Sequence, residues 1–272
     1  MPHPVADPTP PPHPRRWHRR LSRHTMGCLA WLLQLQFLVV NVIAQLAWPH
    51  DTAPYSLMSN AVSDLAAVSC GTVAGSGVYI CSPLHVLMNV SLVTNGILML
   101  VGALSFGVGH LTETTRLTTA RALLALAGAG TVIVGLAPED VALVPHVVGA
   151  GMMMVLGNLG FLLLGLLMRG DDWQLRVGRT RLGSIVTFFG VAGVVGTVAL
   201  ASILLSGYDG RYLGGGAVER VSIFSLVFGE IVAGFVALTL GPWRQRRRHH
   251  SALGYRRPNE VHDTDEQPAH TA

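Results

Sequence analysis

The sequence predicts an all-α integral membrane protein: a bundle of six transmembrane helices with both termini in the cytoplasm and disordered ends. Three observations carry that prediction. Half of the 272 residues are hydrophobic and only 12% are charged, whereas a soluble domain is about a quarter charged. Six apolar runs, about 26–48, 84–106, 122–137, 146–168, 183–206 and 221–241, approach or exceed the ~18–20 residues that cross the hydrocarbon layer. All 19 basic residues are arginine, and they flank these runs in short clusters. Such placement marks topology determinants, not a nucleic-acid surface, so nucleic acid is not an expected partner.

Residues 1–25 form a Pro/Arg-rich cytoplasmic tail. Seven prolines among the first 14 residues forbid a helix there. The cationic segment Arg15–His24 precedes the first run, whose 23 residues exceed the ~7–15 of a signal-peptide core, so the helix is retained. Gln34, Asn41 and Gln45 fall on one stripe of that helix at helical spacing, and the stripe should face other helices. Residues 26–242 make up the membrane domain. The second run starts after Ser82-Pro83, which reads as a helix N-cap and first helical position. The third begins after a loop with Arg116 and Arg121 and ends at Pro138-Glu139-Asp140. His146 opens the fourth. Arg169, Arg176, Arg179 and Arg181 precede the fifth, and the turn-rich stretch 208–216 leads into the sixth. Small residues recur every fourth position, as at Ala127, Thr131 and Gly135, at Gly149, Met153 and Gly157, and at Gly193 with Thr197, so that helix backbones approach closely. Trp48 and Trp243 stand where interfacial aromatics are expected. Residues 243–272 are a basic, disordered tail.

Six spans bring both ends to one side. With that side in the cytoplasm, 17 arginines lie inside and only Arg211 and Arg220 outside, which fixes the orientation. The implied location is the bacterial cytoplasmic membrane, and the lipid bilayer is the one partner composition demands. Asp51, Asp64, His85, Glu139, Asp140, His146, Asp209, Glu219 and Arg220 then come out at the extracytoplasmic ends, and any site belongs there. Cys70 and Cys81 share the outer loop on the oxidising side, where a disulfide is the default. Closing so short a loop contributes roughly 3 kcal/mol.

Within this set His85 and His146 are the candidate acid/base pair, or ligands of a zinc or other divalent metal. Asp64 and Asp140 orient or complete the site, and Asn89, Glu139, Glu219 and Glu230 line it. No metal-binding signature is present, and axial ligation of haem by the two histidines, or a quinone site, is a further reading. Glu230 lies mid-helix, eleven residues after Glu219 and on the same face. A carboxylate at that depth costs ~2.5 kcal/mol or more unless neutral, paired or facing a cavity. With Asn95 and Asn158 it forms either a hydrogen-bond knot or the floor of a polar cavity. The expected function is therefore a polar outer pocket that binds or processes a small molecule or lipid headgroup. A non-catalytic transporter subunit or assembly partner is the alternative.

The order of motifs also resembles a known family. PYS-x-x-SNAVSDL, a paired-cysteine loop ending CSPLHVLMN, a helix ending GLAPED and a histidine-started helix with GN resemble bacterial membrane proteins grouped as domain of unknown function 998. The resemblance covers roughly 26–242, implies six membrane helices and brings no activity with it. Separately, HHSALGYRRPNEVH at 249–262 resembles the end of insertion-sequence integrase-type transposases. It comes without the catalytic acidic triad, and implies a passenger tail; the alternative is an ordinary basic cytoplasmic tail that attracts anionic lipid.

Overall fold

Hydrocarbon offers no partner for a backbone N–H or C=O, so each apolar run must satisfy its own ladder, and a helix does so. The computed structural model describes residues 22–73, 77–106, 114–169, 176–206 and 214–252, excepting the side chains of 176–180 and 240–252. Six helices long and apolar enough to cross a membrane are present among them. The first span is α1 (Arg23–Leu33) and α2 (Leu35–Leu46), the second α3 (His85–Ser105), and the third α4 (Thr115–Leu136). The fourth joins α5 (Leu143–Gly151) through a π-helical segment, Met152–Gly157, to α6 (Asn158–Arg169). α7 (Arg176–Leu205) and α8 (Gly215–Ala252) supply the fifth and sixth. One short antiparallel hairpin, β1 (Gly71–Thr72) with β2 (Tyr79–Ile80), projects between the first two spans.

Several expected boundaries move. The first helix is not continuous: Gln34 interrupts it, where Gln34 and Phe37 donate to carbonyls three residues back, a local 3₁₀-type tightening. The third span starts at Thr115, not 122, because the Thr114 hydroxyl accepts from the Leu117 N–H and caps the turn. Arg116 and Arg121 are therefore helical. The second span starts at His85 and not at Ser82-Pro83, since the Ser82 hydroxyl donates to the Leu65 carbonyl at 2.6 Å instead of capping. The sixth starts at Gly215, placing Glu219 and Arg220 on α8, and its backbone continues helical to Ala252. Residues 1–21 and the transposase-like 253–262 lie outside the described residues. Trp48 is buried and donates to the Ala53 carbonyl; the Trp243 side chain lies outside the described set.

The bundle holds two apolar clusters. One, at the end bearing both chain ends, gathers Trp31, Met99, Phe106, Leu124, Phe161 and Leu226. The other, at the hairpin end, gathers Phe37, Trp48, Leu65, Met88, Met153 and Val227. Buried Gln34, Asn95, Thr131, Asn158 and Glu230 each fall, along their own span, between residues of the two. A polar belt thus crosses the bundle at mid-depth. Phe188, Val191, Val195 and Val198 of α7 are exposed, as a lipid-facing surface requires.

Helix backbones come close where glycines face each other. A Cβ on Gly96 would stand 2.5 Å from the Gly128 carbonyl, and one on Gly128 2.7 Å from the Gly96 carbonyl. Gly130 and Gly149 repeat this between α4 and α5, each within 2.6 Å of the other's carbonyl. Of the small-residue positions expected at interfaces, Gly135 packs against α3, Gly149 on α4, Gly157 on Ala127 and Leu226, and Gly193 on Asn158. We predict that Gly128→Val, which meets backbone that cannot yield, lowers the thermal unfolding midpoint in detergent and costs about 1–3 kcal/mol. Ala122→Val, at an exposed position of the same helix, should leave it within error.

Candidate functional site

Residues 49–84 have almost no regular structure, so their backbone groups must find side-chain partners. Arg220, on the second turn of α8, ties two of them to that helix. Its Nη1 donates to the carbonyls of Leu57 at 3.1 Å, Asn60 at 2.6 Å and Gly216 at 2.8 Å. Nη2 donates to the Tyr55 hydroxyl, and the guanidinium lies 5.5 Å from the centre of that ring. Tyr55 donates its own proton to the Ala61 carbonyl, and burial holds its hydroxyl well above the usual range, in its donating form. Asn60 accepts from the Ser56 N–H and donates to Asp64 at 2.7 Å and to the Tyr79 carbonyl, joining the loop to β2. Cys70 and Cys81 form a disulfide that closes the hairpin.

This scaffold places three carboxyl groups on the wall of one pocket of about 580 Å³. Asp64, Glu139 and Asp140 line it with Ser59, Ser69, Thr72 and the apolar Val73, Val78 and Ile80, and its described lining includes no basic side chain. Asp64 is buried; its Oδ2 accepts from Asn60 and from the Ala61 N–H at 3.0 Å. Burial, followed by a hydrogen bond and charge repulsion from Glu139, pushes its pKa from 3.8 up to about 8, against the Asn60 hydrogen bond that lowers it. Asp64 therefore keeps its proton near neutrality. Asp140 behaves oppositely. Its partial desolvation raises its pKa, but the N–H groups of Val68 and Ser69, at 3.1 and 2.7 Å, outweigh this and hold it below the usual range.

The histidines are arranged otherwise. His85 donates from Nδ1 to the Ser82 carbonyl at 2.9 Å, and His146 from Nδ1 to Ala137 at 2.8 Å. The Nε2 of His146 lies 4.0 Å from Glu139. Neither of the two cavities at this end holds both rings, and among the described residues no group of three or more His, Cys, Asp or Glu side chains gathers to hold a metal. His146 and Glu219 instead border a separate cavity of about 20 Å³ with Phe37, Met153, Met154 and Ile223. Glu219 Oε2 accepts from the Val62 N–H. Asn89 lines neither cavity and donates to the Ala66 carbonyl. Glu230 also lines neither: it accepts from Gln34 Nε2, three turns from Glu219.

Arg220 stands in the sequence only as an outer-end residue, and Tyr55 and Asn60 only within the PYS-x-x-SNAVSDL motif, none with an assigned role; the Asn60–Asp64 spacing of four is a further signal for their hydrogen bond.

Among known proteins, a family model described as a protein of unknown function (DUF998) matches residues 34–236, about three quarters of the chain. No curated protein and no solved structure matches.

Asp64 links stability to pH with a definite sign. Its folded pKa lies above its unfolded value, so the stability it contributes is full below about pH 4 and is lost as pH rises toward about 8. Asp64→Asn keeps an acceptor oxygen for Asn60 and gives Glu139 an amide donor. The variant should show a flatter dependence of unfolding midpoint on pH across that window than the parent, measured in detergent by intrinsic fluorescence.

Proposed function

We propose that this chain, which belongs to the DUF998 family of proteins of unknown function, is a multi-pass protein of the bacterial cytoplasmic membrane that binds a small molecule or lipid headgroup in an outward-facing pocket. The arginine distribution supports that orientation: it puts the hairpin end outside and both chain ends inside. The observation that carries the reading is the pocket of about 580 Å³ beneath the disulfide-closed hairpin, walled by Asp64, Glu139 and Asp140. Its size falls within the ~300–1,000 Å³ typical of small-molecule sites.

Its chemistry narrows the ligand. Carboxylates without a basic neighbour on the wall accept hydrogen bonds and attract positive charge, so the pocket favours a hydroxyl-rich or ammonium-bearing group over a bare phosphate. Asp140, held ionised, is the fixed negative charge. Asp64, raised to about 8 by burial beside Glu139, is the group able to give and take a proton near neutral pH. In this reading the apolar wall of Val73, Val78 and Ile80 receives the uncharged part of the ligand.

The test is ligand-induced stabilisation of the purified full chain. Ethanolamine, choline and glucosamine headgroup compounds are titrated alongside inorganic phosphate. We expect at least one of the cationic compounds to raise the unfolding midpoint, phosphate not to, and Asp140→Asn to weaken the response about tenfold, as loss of one charge-assisted contact of about 1.4 kcal/mol gives. No response to any of them, or an equal response to phosphate, would rule out an acidic headgroup pocket.

A further inference from the structure

The polar belt between the two apolar clusters contains one ionisable side chain, Glu230, and it is fully buried. Its Oε2 accepts from Gln34 Nε2, and its Oε1 has no partner. Gln34 Oε1, on the same amide, has none either, nor do Asn95 Oδ1 and Asn158 Oδ1. All four orphans are acceptors. The unpaired indole N–H of Trp31, nearly one turn below Gln34, lies against Gly102 instead. Buried oxygens left unpaired are costly, because they give up water and gain nothing for it. What this layer lacks is a donor.

A single proton supplies it. A carboxyl and an amide that already share one N–H···O bond each have one oxygen left over. With a proton on Glu230 Oε1, that oxygen becomes a donor and Gln34 Oε1 the available acceptor, so one proton meets the need of both.

Among the described residues no other titratable group competes for that role nearby. From the first span Gln34 faces Glu230, and toward the chain-end side Cys28 follows, in contact with His24. α6 and α7 pack on adjacent Gly229 with Phe161 and Phe189, and α3 offers Asn95 and Met99. Toward the hairpin end the next charged or titratable groups are Glu219, Arg220 and His146.

A small cavity lies toward that end, lined by neither Gln34 nor Glu230. The cavity of about 20 Å³ bordered by His146 and Glu219 is lined by Phe37, one turn from Gln34, and by Ile223, two turns from Glu230. Its wall is mostly apolar, with Ser63, His146 and Glu219 the polar residues, and its volume is about that of one water. The backbone is irregular on both sides of it: the break at Gln34 in the first span, and the π-helical segment that contributes Met153 and Met154 in the fourth. Such segments mark functional positions in membrane helices.

We propose that Glu230 is an exchangeable proton site inside the membrane, paired with Gln34 and reached from the hairpin end past His146 and Glu219. Loading adds one proton to the Glu230 carboxylate and unloading returns it to water by the same cavity. The site is distinct from the headgroup pocket and stands or falls without it.

Dicyclohexylcarbodiimide tests this on the full chain in liposomes. It reacts with a protonated carboxyl in an apolar setting: the acid proton moves to a carbodiimide nitrogen, the carboxyl oxygen bonds to the central carbon, and the adduct rearranges to a stable N-acylurea. Peptide mass spectrometry reads the modification at Glu230 directly, so no variant has to fold. The initial labelling rate should fall about tenfold or more between about pH 5 and pH 9, as one titrating carboxyl gives, and should follow the pH on the hairpin side of oriented vesicles. Glu230 that never labels, or labels equally at every pH, overturns the proposal. Labelling that follows only the opposite side overturns the route, and labelling suppressed by sodium at constant pH assigns the site to a metal cation instead.

Discussion

The Arg220 guanidinium is the contact on which the hairpin end depends. A connection with little regular structure must dispose of many backbone polar groups, and one planar cation with five N–H donors answers several at once. It holds the carbonyls of Leu57 and Asn60 and the Tyr55 hydroxyl, while its own helix contributes Gly216. That fixes the segment 55–61 on α8. Asn60 and Asp64 then stand where Asp64 can meet Glu139 from the third-to-fourth span connection. The pocket wall is therefore assembled from separate parts of the chain by a residue that does not line it.

A second constraint operates at mid-depth. In lipid the helices are not driven together by apolar burial, because the tails are as apolar as leucine; close backbone approach and interhelical hydrogen bonds do that work. Both are visible. The facing glycines of α3 and α4, and of α4 and α5, bring backbones into contact. Asn158 meanwhile donates to Ser222 and Thr197, joining the fourth, fifth and sixth spans. Two members of the belt differ in their partners. Asn158 belongs to a knot that ties three spans together, whereas Glu230 pairs with Gln34 alone, away from the pocket.

Much of the architecture was legible. Six spans, their approximate limits, the buried face of Gln34 and Asn41 and the pairing of Cys70 with Cys81 follow from period, length and compartment. The limits that moved did so for local reasons that a hydropathy window does not register: a threonine cap at Thr114 and a serine hydroxyl, Ser82, spent on Leu65 and not on its own helix. Asp64, Glu139 and Asp140 line one pocket, and His146, bonded to the Ala137 carbonyl, has its Nε2 4.0 Å from Glu139. His85 and Asn89 hydrogen-bond the backbone carbonyls of Ser82 and Ala66; helical spacing specifies only a direction along one helix, not such partners.

The sequence by itself determined the class of molecule, because hydrocarbon imposes a length and an apolar composition that can be counted along one dimension. It determined the number of spans and the side on which the acidic residues gather. Which acids meet was decided only by tertiary structure. Asp64 and Glu139 are 75 residues apart, and Gln34 and Glu230 are 196 apart; neither separation carries a periodic signal. Such pairs form because unlike helices pack at angles set by glycine contacts and by the Arg220 anchor, and those contacts exist only once the whole bundle has closed.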